Sequence, residues 1–200
     1  MIPQVVATDD AGLLVAAAAL RRGEPVVLPT DTVYGLAVIA GDAIALDRLF
    51  ELKRRPAERS IAVLVADRTQ AESLASFSAP AASAADEHWP GALTLVVDRH
   101  DHIDASVGRD DGTVGIRCPG HEWLRRLATE VGPLATTSAN LSGHDTPADA
   151  GDAAGMLDGA VAVIVDGGPC AGMASTVARV GEDGTIAVFR QGEVTLDGPR

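Results

Sequence analysis

Four cations crowd the segment "LKRRPAER": among them Lys53 and Arg55 lie two residues apart, and Arg59 follows beyond Pro56. Like charges at this spacing cannot neutralise one another, so the segment calls for anions. Arginine offers a planar fork to phosphate oxygens and lysine a point charge, a pairing that suits a triphosphate. From Arg48 to Arg59 there are five positive and two negative side chains, a local +3 in a chain of net charge −12. A solvated helix end accounts for the same pattern, because cations are favoured near a helix C-terminus.

Three other polar segments stand at the ends of apolar runs, where α/β sheets gather ligand groups. "PTDTVYGL" brings the hydroxyls of Thr30 and Thr32 and the carboxylate of Asp31 into one tight loop, although a capping turn reads the same way. In "TVGIRCP", Arg117 interrupts an alternating strand just before Pro119. An inward guanidinium needs a carboxylate there, from either an internal Asp or a ligand. "TTSANLSG" packs Thr136, Thr137, Ser138, Asn140 and Ser142 together. These uncharged groups suit a carbonyl or phosphate oxygen, or simply a polar turn.

The elements around these segments follow from periodicity and caps. Thr8, Asp9 and Asp10 open an alanine-rich helix that runs to about Arg22 and stops at Gly23. "PVVLP" is a short buried strand, and Asp42 opens a second helix with Ala43, Leu46, Leu49 and Phe50 on one face, ended by Pro56. "IAVLVA" is a strand, two alanine-rich helical stretches lead to Trp89, and "ALTLVV" is a strand after Pro90 and Gly91. "TVGIRC" follows as a strand. The next helix sets Trp123, Leu124, Leu127 and Val131 against Arg125, Arg126 and Glu130. "PLATTSA" is a strand, a loop leads into a short helix, and "VAVIVDGG", "STVARV" and "TIAVFR" are three closing strands. Irregular interleaving of this kind predicts one α/β domain over 1–200 with a mixed, twisted sheet.

Composition bounds the function. The chain has 200 residues, 46% apolar and 3% aromatic, with 16 basic and 28 acidic side chains. Its longest apolar run, Ala11 to Leu20, is far short of the roughly 20 residues that cross a bilayer, so no membrane association is expected. The N-terminal residues carry no secretory pattern, and two cysteines fit no zinc spacing, so a reducing cytoplasm is the expected location. Net acidity and scarce aromatics argue against an RNA-binding module that tracks phosphates and stacks bases. The phosphate-loop, dinucleotide, zincin and nucleophile-elbow motifs are missing from the sequence.

In their order and separation the four segments, with "WPGALTLVV", "VDGG", "STVARV" and "VFRQGEV", resemble the YrdC family of L-threonylcarbamoyladenylate synthases from about Gly23 to Arg190. The resemblance implies an open, twisted α/β sheet with flanking helices and a concave, positively charged cleft. It implies a nucleotidyltransferase that joins L-threonine, bicarbonate and ATP into threonylcarbamoyl-AMP and pyrophosphate, for threonylcarbamoyladenosine at position 37 of tRNA. Carried over by position, Lys53 and Arg55 are the catalytic pair, and Lys53, Arg55, Arg59, Thr113, Asn140 and Arg190 bind ATP. Thr32, Arg117, Ser138 and Ser175 bind L-threonine. Mg²⁺ is expected to accompany ATP with no dedicated metal site. Expected partners are the downstream tRNA threonylcarbamoyl transferase proteins and, weakly, tRNA. The alternatives are an RNA-binding module of the same fold without chemistry and a carbamoyltransferase-related domain. Ser60, Leu64 and Ala148 depart from the family pattern, Leu64 near the substrate and Ala148 near the nucleotide. The resemblance also implies the short form, without the C-terminal domain that closes over the cleft in longer members.

Overall fold

The computed structural model describes residues 3–53, 61–103, 107, 111–140, 144–157, 161–170 and 172–196. Arg55, Arg59 and Ser60 lie outside the described residues. The elements in chain order are β1 (Gln4–Ala7), α1 (Asp10–Arg21), β2 (Val26–Leu28), β3 (Gly35–Ile39), α2 (Ala43–Lys53), β4 (Ala62–Leu64), α3 (Arg68–Glu72), β5 (Ala75–Ser76) and α4 (Ala79–His88). They continue as β6 (Leu93–Arg99), β7 (Thr113–Arg117), α5 (Glu122–Val131), β8 (Leu134–Ser138), α6 (Ala150–Leu157), β9 (Val163–Asp166), β10 (Thr176–Val180) and β11 (Ile186–Arg190).

The strands form one mixed sheet in the order β1-β9-β2-β3-β8-β4-β7-β6-β10-β11, with β5 paired to β6. β4 runs parallel to β7 and β10 to β6, whereas β8 is antiparallel to both β3 and β4. The mixed α/β class expected from the sequence is the one found.

Local signals act where they were read. The Asp9 carboxylate accepts from the Gly12 amide at 2.7 Å and starts α1, and Gly23 takes a φ of +69° just beyond its end. Asp42 accepts from the Ala45 amide at 3.0 Å at the head of α2. Three strands were not anticipated. β3 is buried through four of its five residues, so it reads as a continuous apolar run with no alternation. β1 is a short, mostly exposed edge, and β5 has only two residues.

Alternation along the central strands sorts side chains to opposite faces. Leu36 and Val38, Val63, Leu95 and Val97, Val114 and Ile116 point to one face and pack with α2, α4 and α6. Val26 and Leu28, Ala37, Leu64, Leu134, Val163 and Val165 point to the other, where α1 and α5 cover them. Those two helices sit over one end of their face. They are locked there by Trp123 Nε1 donating to the Asp9 carbonyl at 2.9 Å. The rest of that face is open.

Candidate active site

The open part of the face is a cavity of about 370 Å³. Its floor is a row of small residues on neighbouring strands: Gly35, Thr136, Ala62, Gly115 and Thr94. Gly35 must lack a side chain, because a Cβ there would sit 2.7 Å from the Thr136 methyl. Around the floor stand Thr30, Thr32, Ser138, Thr146, Ser175, Arg117 and Arg190. Three of the four polar segments read from the sequence therefore meet here.

The 29–34 loop joins β2 to β3. Thr30 Oγ1 shapes it by accepting from the amides of Thr32 and Val33, each at 3.0 Å. Tyr34, fully buried, anchors its far end by donating to the Gly168 carbonyl at 2.8 Å. "VDGG" thus serves as the socket for Tyr34. Burial raises the Tyr34 pKa, with the Gly167 amide acting the other way, so the phenol stays neutral.

This loop delivers Asp31 and Thr32 to Arg117. Arg117 Nη2 donates to Asp31 Oδ1 at 2.5 Å, Nη1 to Thr32 Oγ1 at 2.8 Å, and Nε to the Gly91 carbonyl at 2.9 Å. The internal Asp is thus the partner that a 4% exposed guanidinium requires. Gly120 leaves room for the arrangement, since a Cβ there would lie 2.9 Å from Asp31 Oδ2. A guanidinium has five N–H groups. Three are engaged among the described residues, and Arg117 itself lines the cavity.

Arg190 approaches from the end of β11. The residue as a whole is exposed, but its guanidinium folds onto Ser175, with Nη2 donating to the Ser175 carbonyl at 2.8 Å and to Ser175 Oγ at 3.0 Å. Burial of that end, and then the Arg117 charge, lower the Arg190 pKa from its usual value. No carboxylate pairs with it among the described residues. Among the described residues the two guanidiniums have one carboxylate partner, Asp31 on Arg117, an arrangement that suits an anionic ligand.

Lys53 stands apart. It is 2% exposed, and its ammonium donates to the Ser138 carbonyl at 2.6 Å, to Asn140 Oδ1 at 2.9 Å and to the Asn140 carbonyl. Ser138 Oγ also donates to Asn140 Oδ1 at 2.5 Å, and Asn140 Nδ2 to the His144 carbonyl at 2.5 Å. Lys53 thus holds the turn after β8 in shape. Thr113, at the other end of β7 from Arg117, donates to Asp111 at 2.5 Å and lies outside the cavity lining. The structure brings Thr32, Arg117, Ser138, Ser175 and Arg190 together at the cavity wall, with Asn140 and Lys53 just behind Ser138.

Leu64, expected near the substrate, lines the cavity. Ala148 is exposed, while Thr146, two residues earlier, faces the cavity. Reading the sequence missed Thr94 and Thr146 as lining residues and Asp31 as the partner of Arg117. A hydroxyl inside the apolar strand "ALTLVV" was the available signal for Thr94.

The chain matches the Sua5/YciO/YrdC family model, described as telomere recombination, over residues 18–192. It is 40% identical over 197 residues to a threonylcarbamoyl-AMP synthase of Bacillus subtilis, covering 96% of this chain and 56% of that protein. It is 38% identical over 188 residues to a putative threonylcarbamoyl-AMP synthase of Mycobacterium tuberculosis H37Rv, covering 93% and 86%. Its fold is similar to that of Pyrococcus abyssi Sua5 complexed with L-threonine, with a TM-score of 0.89 and 33% identity over 94% of this chain and 57% of that one. The chain thus spans little more than half the length of the Bacillus and Pyrococcus relatives. Escherichia coli YciO, at 22% identity and a TM-score of 0.86, shares the fold. Matched over most of its length in both sequence and architecture, the chain belongs to the Sua5/YciO/YrdC family.

Proposed function

We propose that this chain is a threonylcarbamoyl-AMP synthase, a nucleotidyltransferase acting on L-threonine, bicarbonate and ATP. One observation carries the reading. An Arg117 fork already locked by Asp31 and Thr32 faces Ser138, Ser175 and Arg190 across one cavity, in a chain 33% identical to a protein whose structure holds L-threonine.

In this reading Arg117 takes the amino-acid carboxylate, a charge-assisted pairing that also orients the substrate. The threonine amine joins bicarbonate with loss of water to give a carbamate. A carbamate oxygen attacks the α-phosphorus of ATP, the bond from that phosphorus to the bridging oxygen breaks, and pyrophosphate leaves. Neither step needs a covalent enzyme intermediate, so the protein contributes positioning and fixed charge. Arg190 supplies charge at the cavity mouth, and Arg55 and Arg59 are the further phosphate contacts expected. Lys53 is expected on the phosphates with Arg55, beside the Ser138–Asn140 turn to which its ammonium donates.

Mg²⁺ enters with the triphosphate as part of the substrate. In this reading phosphates and water hold the ion, and no step is assigned to it. The product is a reactive mixed anhydride. A tRNA threonylcarbamoyl transferase is the partner that consumes it, in the cytoplasm; no described helix is long and apolar enough to cross a membrane.

The test is pyrophosphate release by the purified chain with ATP, Mg²⁺ and bicarbonate, with L-threonine present, omitted or replaced by L-serine. Release that depends on L-threonine is expected. Release indifferent to the amino acid, or no release from folded protein, contradicts the proposal.

A further inference from the structure

We propose that Thr94 is a positioning residue of the substrate site: with Ser175 it presents one hydroxyl proton to an anionic oxygen of the bound amino acid. The identity of that amino acid, L-threonine, rests on the synthase reading above.

A count of protons leads there. A guanidinium can only donate, and Arg190 Nη2 donates to Ser175 Oγ at 3.0 Å. Ser175 Oγ lies 2.8 Å from Thr94 Oγ1, and either oxygen can be the donor. Two hydroxyls hold two protons, and the bond between them uses one. If Ser175 donates, the spare proton is on Thr94; if Thr94 donates, it is on Ser175. Neither hydroxyl has another acceptor among the described residues, both residues are at most 5% exposed, and both line the cavity. Whichever way the hydroxyls turn, the pair keeps one proton that no described residue accepts. Such a group is costly when buried without an acceptor. With Arg117 and Arg190 lining the same cavity, the acceptor it suits is a carboxylate or carbamate oxygen.

Thr94 is also held in place. A Cβ on Gly115 of the adjoining strand would lie 3.3 Å from Thr94 Cγ2, so the methyl sits against Gly115 while the hydroxyl bonds Ser175. Branching at Cβ restricts χ1. Threonine here supplies both a hydroxyl and the lock that aims it; serine would keep only the first.

L-threonine is titrated by calorimetry into wild type, Thr94→Val, Thr94→Ala and Thr94→Ser, with ATP binding and the melting temperature followed on each. Thr94→Val keeps the shape and removes the hydroxyl. We expect it to weaken L-threonine binding by about tenfold or more, and to raise KM for threonine more than it lowers kcat. ATP binding and Tm should stay at the wild-type level. Thr94→Ser should recover most of the affinity, and Thr94→Ala should match Thr94→Val. L-threonine affinity within twofold of wild type in Thr94→Val overturns the proposal, as does a parallel loss of ATP binding and Tm. The synthase reading fails separately: wild type that binds L-threonine but releases no pyrophosphate overturns that reading, and the binding series still decides Thr94. Wild type that does not bind L-threonine overturns both.

Discussion

The two faces of the central sheet are made from the same strands, one residue out of step, and they do opposite work. On one face Val63, Leu95, Val97, Val114 and Ile116 are sealed beneath helices. On the other Ala62, Thr94, Gly115, Arg117 and Thr136 stay open to a cavity. Core and site therefore occupy adjacent positions, and a strand of five residues serves both. Neighbouring substitutions should have opposite signatures.

The largest contrast is expected at the adjacent pair Arg117 and Ile116. Arg117→Met removes the guanidinium that Asp31 and Thr32 hold, and should lower kcat/KM for threonine by about a hundredfold or more, as loss of a bidentate charged contact implies. Steady-state pyrophosphate assays read this directly. Ile116→Ala cuts into the sealed face, where full burial predicts a loss of about 2–5 kcal/mol in unfolding free energy by urea titration. Its KM for threonine should stay near the wild-type value.

A smaller effect sharpens the comparison at Gly115. Gly115→Ala puts a Cβ 3.3 Å from the Thr94 methyl, which must shift. The expected result is a several-fold rise in KM for threonine, with Tm moving by a degree or two. Val114→Ala, on the opposite face, should lower Tm and leave KM alone.

The mildest effect concerns pH. Cys118, beside Arg117, is buried and donates to the Ala66 carbonyl at 3.4 Å. Burial pushes its thiol pKa up from 9.0 to about 11. The folded state thus keeps a proton that the unfolded chain releases. This contribution is complete below about pH 9 and is lost as pH rises from about 9 towards 11. Urea midpoints at pH 8 and pH 10.5 should diverge more for wild type than for Cys118→Ala. Equal divergence would remove the thiol from the account.

Much of this was legible from sequence because it is local. The Asp9 cap, the Gly23 stop and the apolar stripe of α5 each involve residues within a turn or two, and each appears where periodicity placed it. The cavity wall was legible in part, since polar groups at strand ends stand out against apolar runs. What stayed hidden depends on residues far apart in sequence. Asp31 and Arg117 are 86 positions apart, and only the β2–β3 loop crossing to β7 decides that the internal carboxylate is the partner. The contact of the Lys53 ammonium with the turn at Ser138–Asn140 spans 85 to 87 positions, and no local pattern shows it. Thr94 was masked by alternation: a lone hydroxyl in an apolar strand reads as an irregularity until the strand's two faces are known.

The measurement that tests the division of the sheet most directly is threonine-dependent pyrophosphate release by Arg117→Met and Ile116→Ala, assayed side by side at a temperature where melting curves show both folded. The account predicts that Ile116→Ala turns over with a wild-type KM while Arg117→Met is nearly inactive. An active Arg117→Met, or equal losses in the two, would contradict it.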